Sequence, residues 1–333
     1  MKQIFIFSLV LLALTSCRKD EDEIVDGPNL NDLFGPFSIV EDIVINRTMV
    51  DFPNDGLVYY SGELSKNTDW FIYVTGAETG ATRTISGFDR VLSVDNAAWN
   101  GGANNFPGFG LEDCYLEVHF PNEEDAPILY DTVSVEGLKQ DDGFLITSFE
   151  NGSGINWGPF NQTTVVGGIV CGDDDAAKGD CHYSFAGSVP WDWAIGSIYV
   201  QPDEGNFGLP SSATNLFFNM GFRALENVGP TNSFIQFWFD EDENGDGVFD
   251  EATEDRFLYE YWSTGNEWDL ISFIYGDLQF DIEGQQAETN GNGLPEPSKL
   301  LAINVFFLAN TENGFSSALV DHLIFTTNSP YTP

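Results

Sequence analysis

An all-β fold is predicted by three features of the sequence. Short runs of alternating apolar and polar residues recur along the chain, and Gly, Asn, Asp and Pro separate them, as in strands joined by turns. No stretch carries the sustained helical period that predicts an amphipathic helix. Aromatic residues make up 14% of the chain and glycine supplies 34 residues, which indicates packed β-structure and argues against a disordered acidic chain.

The first residues predict a secretory signal. Lys2 precedes an apolar run over residues 4–14, which is too short to span a bilayer, and the run ends in Leu14-Thr15-Ser16-Cys17. This quartet resembles the lipobox of bacterial lipoproteins, in which the cysteine is lipidated and becomes the new N-terminus. We therefore expect a signal peptide over residues 1–16 and a lipid on Cys17.

The next segment, residues 17–34, is predicted to be a lipidated acidic tether. It opens with Arg18-Lys19 followed by four acidic residues, a pattern similar to the surface-export signal of Bacteroidetes lipoproteins; a plain solvated linker is the alternative. The resemblance implies an outer-membrane lipoprotein that faces outward.

The charge of the chain limits its partners. The formal net charge is -41, from 12 Lys and Arg against 53 Asp and Glu, so nucleic acids would be repelled over much of the surface. Strongly anionic polysaccharides are disfavoured for the same reason, unless calcium bridges them.

Residues 35–138 predict a first β-domain. Runs such as LVYYSGEL, WFIYVTG and CYLEVHF are short and closely spaced, which favours an immunoglobulin-like sandwich acting as a spacer. Trp99-Asn100-Gly101 resembles the tryptophan-glycine turn of small bacterial immunoglobulin-like spacer domains. A packed tryptophan in an ordinary turn is the alternative.

A polar hinge is predicted at residues 139–143, followed by a larger jelly-roll sandwich over residues 144–328. Phe149-Glu150-Asn151-Gly152, Trp268-Asp269-Leu270-Ile271-Ser272 and the closing strand over residues 319–325 resemble galactose-binding-like carbohydrate-binding modules. The resemblance implies a structural calcium ion shared by Glu150 and Asp321. Asp321 also interrupts an apolar strand face, so it is expected to ligate a cation or to reach water at a strand edge.

A second calcium site is predicted between two aromatic strands, Phe234–Phe239 and Arg256–Trp262. Acidic and amide side chains recur at alternate positions, a glycine stands at the sixth place and a glutamate at the twelfth, which is the spacing of a calcium loop. We expect a structural calcium ion clamping a β-hairpin; an empty acidic turn is the alternative. The predicted ligands are Asp240, Asp242, Asn244, Asp246 and Glu251.

The cysteines and histidines predict no catalytic centre. Cys171 and Cys181 bracket a polar loop and are candidates for a disulfide in an oxidising compartment, whereas Cys114 lies in an apolar run and is expected to be a buried thiol. The three histidines are far apart in sequence, and no nucleophile elbow or phosphate loop occurs.

Candidate ligand-binding residues are aromatic side chains beside polar ones, because sugars stack on rings and hydrogen-bond through hydroxyls. Trp191 and Trp193 share one face of an extended segment with Asp192 opposite, although a sandwich core would use the same pair. Trp262 is expected on an outer strand face. Arg223 is expected to serve the ligand or to neutralise a carboxylate.

These features resemble the surface glycan-binding lipoproteins that accompany Bacteroidetes polysaccharide-uptake systems. The resemblance implies binding of a polysaccharide without cleavage, calcium as a structural cofactor, and an outer-membrane glycan transporter as partner. A calcium-dependent adhesin or structural surface protein is the first alternative, and a glycan hydrolase or lyase the second.

Overall fold

The computed structural model describes residues 35–150, 155–162, 164–172, 175–189, 194–202, 204–225, 234–262, 266–279, 281–282, 285–286, 290–308 and 314–333. The predicted signal peptide (1–16) and the tether (17–34) with Cys17 lie outside these residues. The described chain is nearly all β-strand, which confirms the all-β prediction. Among its few short helices, none is long and apolar enough to cross a membrane.

The N-terminal half contains seven strands within its described residues and one short helix. The strands run in the order β1-β3-β6-β7-β2, with β4 and β5 also paired to β3. The elements are β1 (Ile39–Ile45), β2 (Met49–Asp51), α1 (Phe52–Asp55), β3 (Val58–Gly76), β4 (Thr82–Leu92), β5 (Ala98–Trp99), β6 (Asp113–His119) and β7 (Leu129–Gly137).

Strand β3 organises this half because its 19 residues pair with four other strands. Its burial alternates along Trp70, Ile72 and Val74, which place their side chains in the core as a strand period of two requires. Trp99 is also buried, and its indole packs edge-on against Phe52 at 5.0 Å between ring centroids. Trp99 is therefore a packed core residue, and the immunoglobulin-like assignment of this half remains a prediction.

The C-terminal half is a sandwich of two antiparallel sheets. Its described strands are β8 (Phe144–Thr147), β9 (Ile155–Asn161), β10 (Val166–Cys171), β11 (Cys181–Ser188), β12 (Ala194–Pro202), β13 (Leu216–Ala224), β14 (Phe234–Glu241), β15 (Arg256–Trp262), β16 (Asp269–Ile274), β17 (Asp281–Ile282), β18 (Gln285–Gln286), β19 (Leu300–Leu308) and β20 (Phe315–Thr327). Short 3₁₀ turns follow β16 and precede β19.

The two large sheets of the sandwich have different strand orders. One contains β10-β11-β20-β13-β16, with β8 on the far part of β20, and the other contains β15-β14-β19-β12-β9. Strands β17 and β18 form a separate hairpin. Strands distant in sequence are neighbours in both large sheets, so each face collects side chains from several parts of the chain.

An aromatic core holds the two sheets together. Phe218 from the six-stranded sheet lies 5.3 Å from Phe237 and 5.4 Å from Phe239 of the five-stranded sheet, measured between ring centroids. Phe185 and Phe307 stack across the same interface at 4.1 Å. These rings are fully buried, so each transfers a large apolar surface out of water.

The two halves meet through a separate apolar cluster. Phe106 of the N-terminal half packs in a cluster with Trp268, Leu319, Ile324 and Tyr331 of the C-terminal half. Backbone hydrogen bonds cross the same boundary. We call this interface the seam.

The predicted hinge residues take part in the seam. Asp141 accepts a hydrogen bond from Lys178 Nζ at 2.5 Å and another from the Tyr331 hydroxyl, and its Oδ2 lies 3.3 Å from His322 Nε2. Burial opposes ionisation of Asp141, but His322 and Lys178 outweigh it and hold the pKa of this carboxyl well below its usual range. Residues 139–143 are thus anchored to the second half by a charged hydrogen bond.

The structure joins Cys171 and Cys181 in a disulfide across the β10–β11 connection. Cys114 is a buried free thiol on β6. The pKa of this thiol is raised to about 12 by burial and by the carboxylates nearby.

Replacing both disulfide cysteines by serine is expected to lower the free energy of unfolding by about 2–3 kcal/mol, because the bond limits the unfolded chain. Chemical denaturation of the variant and of the wild type with and without reductant measures the loss. Reductant should destabilise the wild type and leave the Cys171→Ser/Cys181→Ser variant unchanged. A wild-type transition that reductant does not move would contradict the expectation.

Candidate binding face and calcium loop

The solvent side of the five-stranded sheet is the best candidate for a binding surface. On β14, Ile235, Phe237 and Phe239 are fully buried in the core, so Gln236 and Trp238 must project from the other face. Cross-strand pairing then identifies the neighbours that share this face. We call it the outer face; it comprises Phe160, Ser197, Tyr199, Gln201, Gln236, Trp238, Asp240, Arg256, Leu258, Glu260, Trp262, Asn304 and Phe306.

Two cross-strand rows form the centre of the outer face. In the first row, Trp238 lies between Leu258 and Asn304, and Asn304 pairs with Tyr199. In the second row, Gln236 lies between Glu260 and Phe306, and Phe306 pairs with Ser197, which pairs with Phe160. Rings and polar groups are therefore interspersed on the outer face, where Gln236 and Leu258 are buried and Trp238, Asn304, Tyr199 and Phe306 are half-buried.

The aromatic part of the outer face is centred on Trp238. Its ring centroid lies 4.5 Å from that of Phe306, at an interplanar angle of 51°. The guanidinium carbon of Arg256 lies 4.5 Å from the same indole centroid, which is cation–π geometry. Contacts on two sides hold the indole in one orientation, so a ligand stacking on it loses little side-chain entropy.

A hydrogen-bonded chain fixes the polar part. Trp238 Nε1 donates to Gln236 Oε1 at 2.6 Å, and Gln236 Nε2 donates to Glu260 Oε1 at 2.8 Å. On the neighbouring strand, the Tyr199 hydroxyl donates to Gln201 Oε1 at 2.5 Å. Gln236 is fully buried, so this chain orients the Trp238 indole, whereas Tyr199, Gln201 and Glu260 are half-buried and retain further hydrogen-bonding capacity.

Asp240, one of the predicted calcium ligands, lies on this face and pairs with Arg256. It is the next-to-last residue of β14. Its carboxylate accepts two hydrogen bonds from Arg256, from Nε at 2.5 Å and from Nη2 at 3.0 Å. Burial raises the pKa of Asp240, although the Arg256 bonds and charge act in the opposite direction. Both oxygens face a strand neighbour, so Asp240 serves an ion pair within the sheet.

The loop itself starts two residues later than its sequence spacing indicates. Asp242 accepts hydrogen bonds from the backbone amides of Gly245, Asp246 and Gly247, and the left-handed φ angles of the two glycines, 77° and 83°, allow this tight fold. Asn244 Oδ1 accepts a bond from the Asp246 amide at 2.8 Å. The side chains of Asp242, Asn244 and Asp246 therefore gather inside one loop.

Glu254, which the spacing did not single out, closes the loop in place of Glu251. Its side chain is buried and accepts hydrogen bonds from the amides of Asn244 and Asp250. Glu251 instead has a side chain 84% exposed and lies 3.7 Å from Arg256. Oxygen-rich side chains arranged in this way suit calcium, which takes six to eight oxygens. Oxygens of Asp242, Asn244, Asp246, Asp250 and Glu254 accept backbone amide hydrogen bonds within this loop, and calcium binding there stays a prediction.

Glu150 and Asp321, predicted to share a calcium ion, bind the same loop. Glu150 accepts hydrogen bonds from the backbone amides of residues 180 and 181. Asp321 accepts two from the amides of residues 177 and 178, at 3.0 and 3.1 Å. Asp321 is fully buried, and its pKa is raised to about 8 by burial and by the nearby Glu150 charge. The two carboxylates are brought together; an ion between them stays a prediction.

The predicted ligand-binding residues are not all in one place. Trp262 lies on the outer face near its edge and is 60% exposed. Arg223 lies on β13 of the other sheet, where it donates to Asp175 Oδ1 at 3.0 Å and to the Asn266 carbonyl at 2.7 Å. The structure therefore separates Arg223 from Trp262. Trp191, Asp192 and Trp193 lie outside the described residues.

Several outer-face residues were missed at the sequence level, namely Phe160, Tyr199, Asn304 and Phe306. One signal was present: Asn304 is the single polar residue in the strand LLAINVFFL. A lone amide in an apolar strand indicates a polar environment on one face. The other three residues join the face only through strand pairing.

Known protein families and curated proteins give no match to this sequence. Among solved structures, the chain is similar to the family 11 carbohydrate-binding module from Clostridium thermocellum in complex with a β-1,3-1,4-mixed-linked tetrasaccharide, with 14% identity over 57% of this chain and 99% of that chain and a TM-score of 0.38. It is also similar to the CBM22-1 xylan-binding domain from Paenibacillus barcinonensis Xyn10C, with 12% identity over 57% and 98% of the two chains and a TM-score of 0.31.

Proposed function

We propose that this protein binds a neutral polysaccharide on the outer face of its five-stranded sheet, as the capture step of glycan use at a cell surface. The observation that carries the proposal is the combination of an indole, Trp238, oriented by the buried Gln236, with Phe306, Tyr199 and the half-buried amide of Asn304 on the neighbouring strands. Rings would stack on the C–H faces of sugars, and the Asn304 amide would bind a hydroxyl.

The size and charge of the face support a chain-like, uncharged ligand. The second row crosses five strands from Glu260 to Phe160, at about 4.8 Å per strand, which gives a surface long enough for several sugar units. The chain carries a formal charge of -41, so a polyanionic glycan would be repelled at long range.

Binding without cleavage is part of the proposal. Cleavage of a glycosidic bond requires a proton donor and a second carboxylate that are both available to the substrate. On the outer face, Asp240 is committed to two hydrogen bonds from Arg256, and Glu260 accepts one from Gln236. These two carboxylates therefore serve structural hydrogen bonds.

The proposed location rests on the sequence of the first 34 residues. Lipidation of Cys17 would anchor the chain in the outer membrane, and the acidic tether would display it outward. An outer-membrane glycan transporter is the proposed partner that receives the captured polysaccharide.

Affinity gel electrophoresis of the full chain with a panel of neutral polysaccharides tests the function. Retardation by at least one neutral glycan, without release of reducing ends on incubation, is expected. Released oligosaccharides would indicate a glycan hydrolase or lyase instead. Failure of every glycan to retard the protein would reject the proposal and favour the adhesin or structural alternative.

Calcium in the loop is proposed as a structural cofactor. Chelation is expected to lower the melting temperature, because an ion present at a hundredfold excess over its Kd stabilises the folded state by about 2.7 kcal/mol. Asp246→Ala should abolish the calcium-dependent part of the melting temperature. Glu251→Gln is the matched control, since its exposed side chain lies outside the loop, and it should keep the full effect. Loss of the calcium effect in Glu251→Gln would instead show that Glu251 is a ligand, as the sequence spacing indicates.

A further inference from the structure

A second group of carboxylates lies beside the calcium loop, where the β14–β15 connection meets the segment that precedes β19. One oxygen from each of Glu241, Glu243 and Glu296 lies within 4.8 Å of the other two. Asp255 adjoins them, and its carboxylate accepts hydrogen bonds from backbone amides of the 290–299 segment at 2.9 and 2.6 Å. We call Glu241, Glu243, Asp255 and Glu296 the inner acidic cluster.

The key residue of the inner acidic cluster is Glu241. It is fully buried at the end of β14, and its Oε1 accepts bonds from the Tyr275 hydroxyl at 2.8 Å and from the Glu296 amide at 2.7 Å. Its other oxygen, Oε2, is buried and has no hydrogen-bond partner. Burying a carboxylate oxygen without a hydrogen-bond partner lowers the stability of the folded state. Such an atom therefore indicates that a partner, such as a bound ion, completes the site.

The charges around Glu241 show which partner would satisfy it. Burial, together with the Glu296 and Asp255 charges, raises the pKa of Glu241 to about 8 against the hydrogen bonds it accepts. The pKa of Glu243 is also raised, by burial and by the adjacent Asp255 carboxylate. Carboxylates this close disfavour one another's ionised form unless positive charge lies between them.

The lysine at this site supplies only part of that positive charge. Lys299 Nζ donates to Glu296 Oε2 at 2.6 Å. Its pKa is raised by this bond, against a smaller cost of burial, and by the Glu296, Glu243 and Glu241 charges. One ammonium group thus faces four carboxylates and contacts the outermost of them, while Glu241 Oε2 stays without a donor.

We propose that Glu241, Glu243 and Glu296 bind a divalent cation of the calcium class at a site distinct from the one proposed for Asp242, Asn244, Asp246, Asp250 and Glu254. Calcium prefers carboxylate oxygens at 2.3–2.6 Å, so two ligand oxygens of one ion are at most about 5 Å apart, and the three glutamate oxygens, all within 4.8 Å of one another, meet this limit. The ligands come from the end of β14 and from the 290–299 segment. The ion would fasten that segment onto the β14–β15 hairpin directly beneath Asp240 of the outer face.

Calcium titration by calorimetry on the full, chelator-treated chain tests this site. The parent is Asp246→Ala, which disables the loop, and the test variant adds Glu241→Gln and Glu296→Gln to it. Both replacements keep side-chain shape and remove a charge. The test variant is expected to bind one calcium ion fewer per chain than the parent. Equal stoichiometry and equal affinity in the two proteins would overturn the proposal, whatever the loop binds.

Melting curves separate ligation from a purely structural role. In chelator, Glu241→Gln in the wild-type chain is expected to melt near the wild-type temperature, because glutamine keeps the shape of Glu241 and its carbonyl can accept the Tyr275 and Glu296 hydrogen bonds. On addition of calcium, its increase in melting temperature should be smaller than that of the wild type. A variant that melts lower than the wild type by the same amount with and without calcium would show that Glu241 only packs and would overturn the proposal.

Discussion

Trp238→Ala is expected to abolish retention by the glycan while the protein stays folded. Trp238 has its indole fixed by Phe306, by the Arg256 guanidinium and by the hydrogen bond to Gln236. Losing a central, preorganised ring typically costs at least about 2 kcal/mol of binding, or about 30-fold in affinity. Affinity gels give the change in Kd, and thermal melting reports whether the sandwich is intact.

Two further variants make that result specific. Trp238→Phe keeps an aromatic face and should retain part of the affinity, whereas Trp262→Ala removes a ring near the edge and should have a smaller effect than Trp238→Ala. Unchanged affinity in a folded Trp238→Ala protein would move the binding surface away from the outer face.

Arg256→Met is expected to destabilise the C-terminal half strongly. It would leave Asp240, whose side chain is 5% exposed, as a buried charge without its partner. Removing one member of such a pair typically costs about 3–5 kcal/mol. Denaturant unfolding at neutral pH measures the loss.

The matching double mutant identifies the cause. Asp240→Asn in the Arg256→Met background removes the orphaned charge and is expected to recover much of the lost stability. Asp240→Asn alone should cost less than Arg256→Met, because Arg256 is more exposed and has Glu251 within 3.7 Å. Additive effects of the two substitutions would show that the ion pair contributes nothing beyond packing.

Local patterns in the sequence were sufficient for the fold class. Alternating apolar residues separated by turn residues predict strands wherever one face is buried, and β14 shows this directly with its buried Ile235, Phe237 and Phe239. The same alternation predicted that Trp262 lies opposite Phe257 on β15, and the structure shows one exposed and the other buried. Both inferences need only neighbouring residues.

The predicted calcium loop fits two frames over its first six positions, and only the frame that starts at Asp240 has a glutamate at the twelfth place. Oxygen-bearing side chains at every second position place either Asp240 or Asp242 first, with a glycine at the sixth place in both frames. The frames are distinguished by where β14 ends. That end is set by the pairing of Asp240 with Arg256 and Ala302 on the neighbouring strands, which local spacing does not contain.

The outer face was beyond sequence reasoning for a related reason. Trp238, Tyr199 and Phe306 lie on three different strands and meet only because β12, β19 and β14 are consecutive in the sheet. Aromatic residues of all three strands suit either a core or a surface, and strand order across a sandwich depends on contacts between distant segments.

The seam has a mechanical consequence for a protein displayed on a surface. Phe106 and the Asp141–Lys178 pair would both have to separate before the two halves turned relative to each other. A force applied to a bound polysaccharide would therefore be transmitted through the seam to the N-terminal half without rotation of one half against the other.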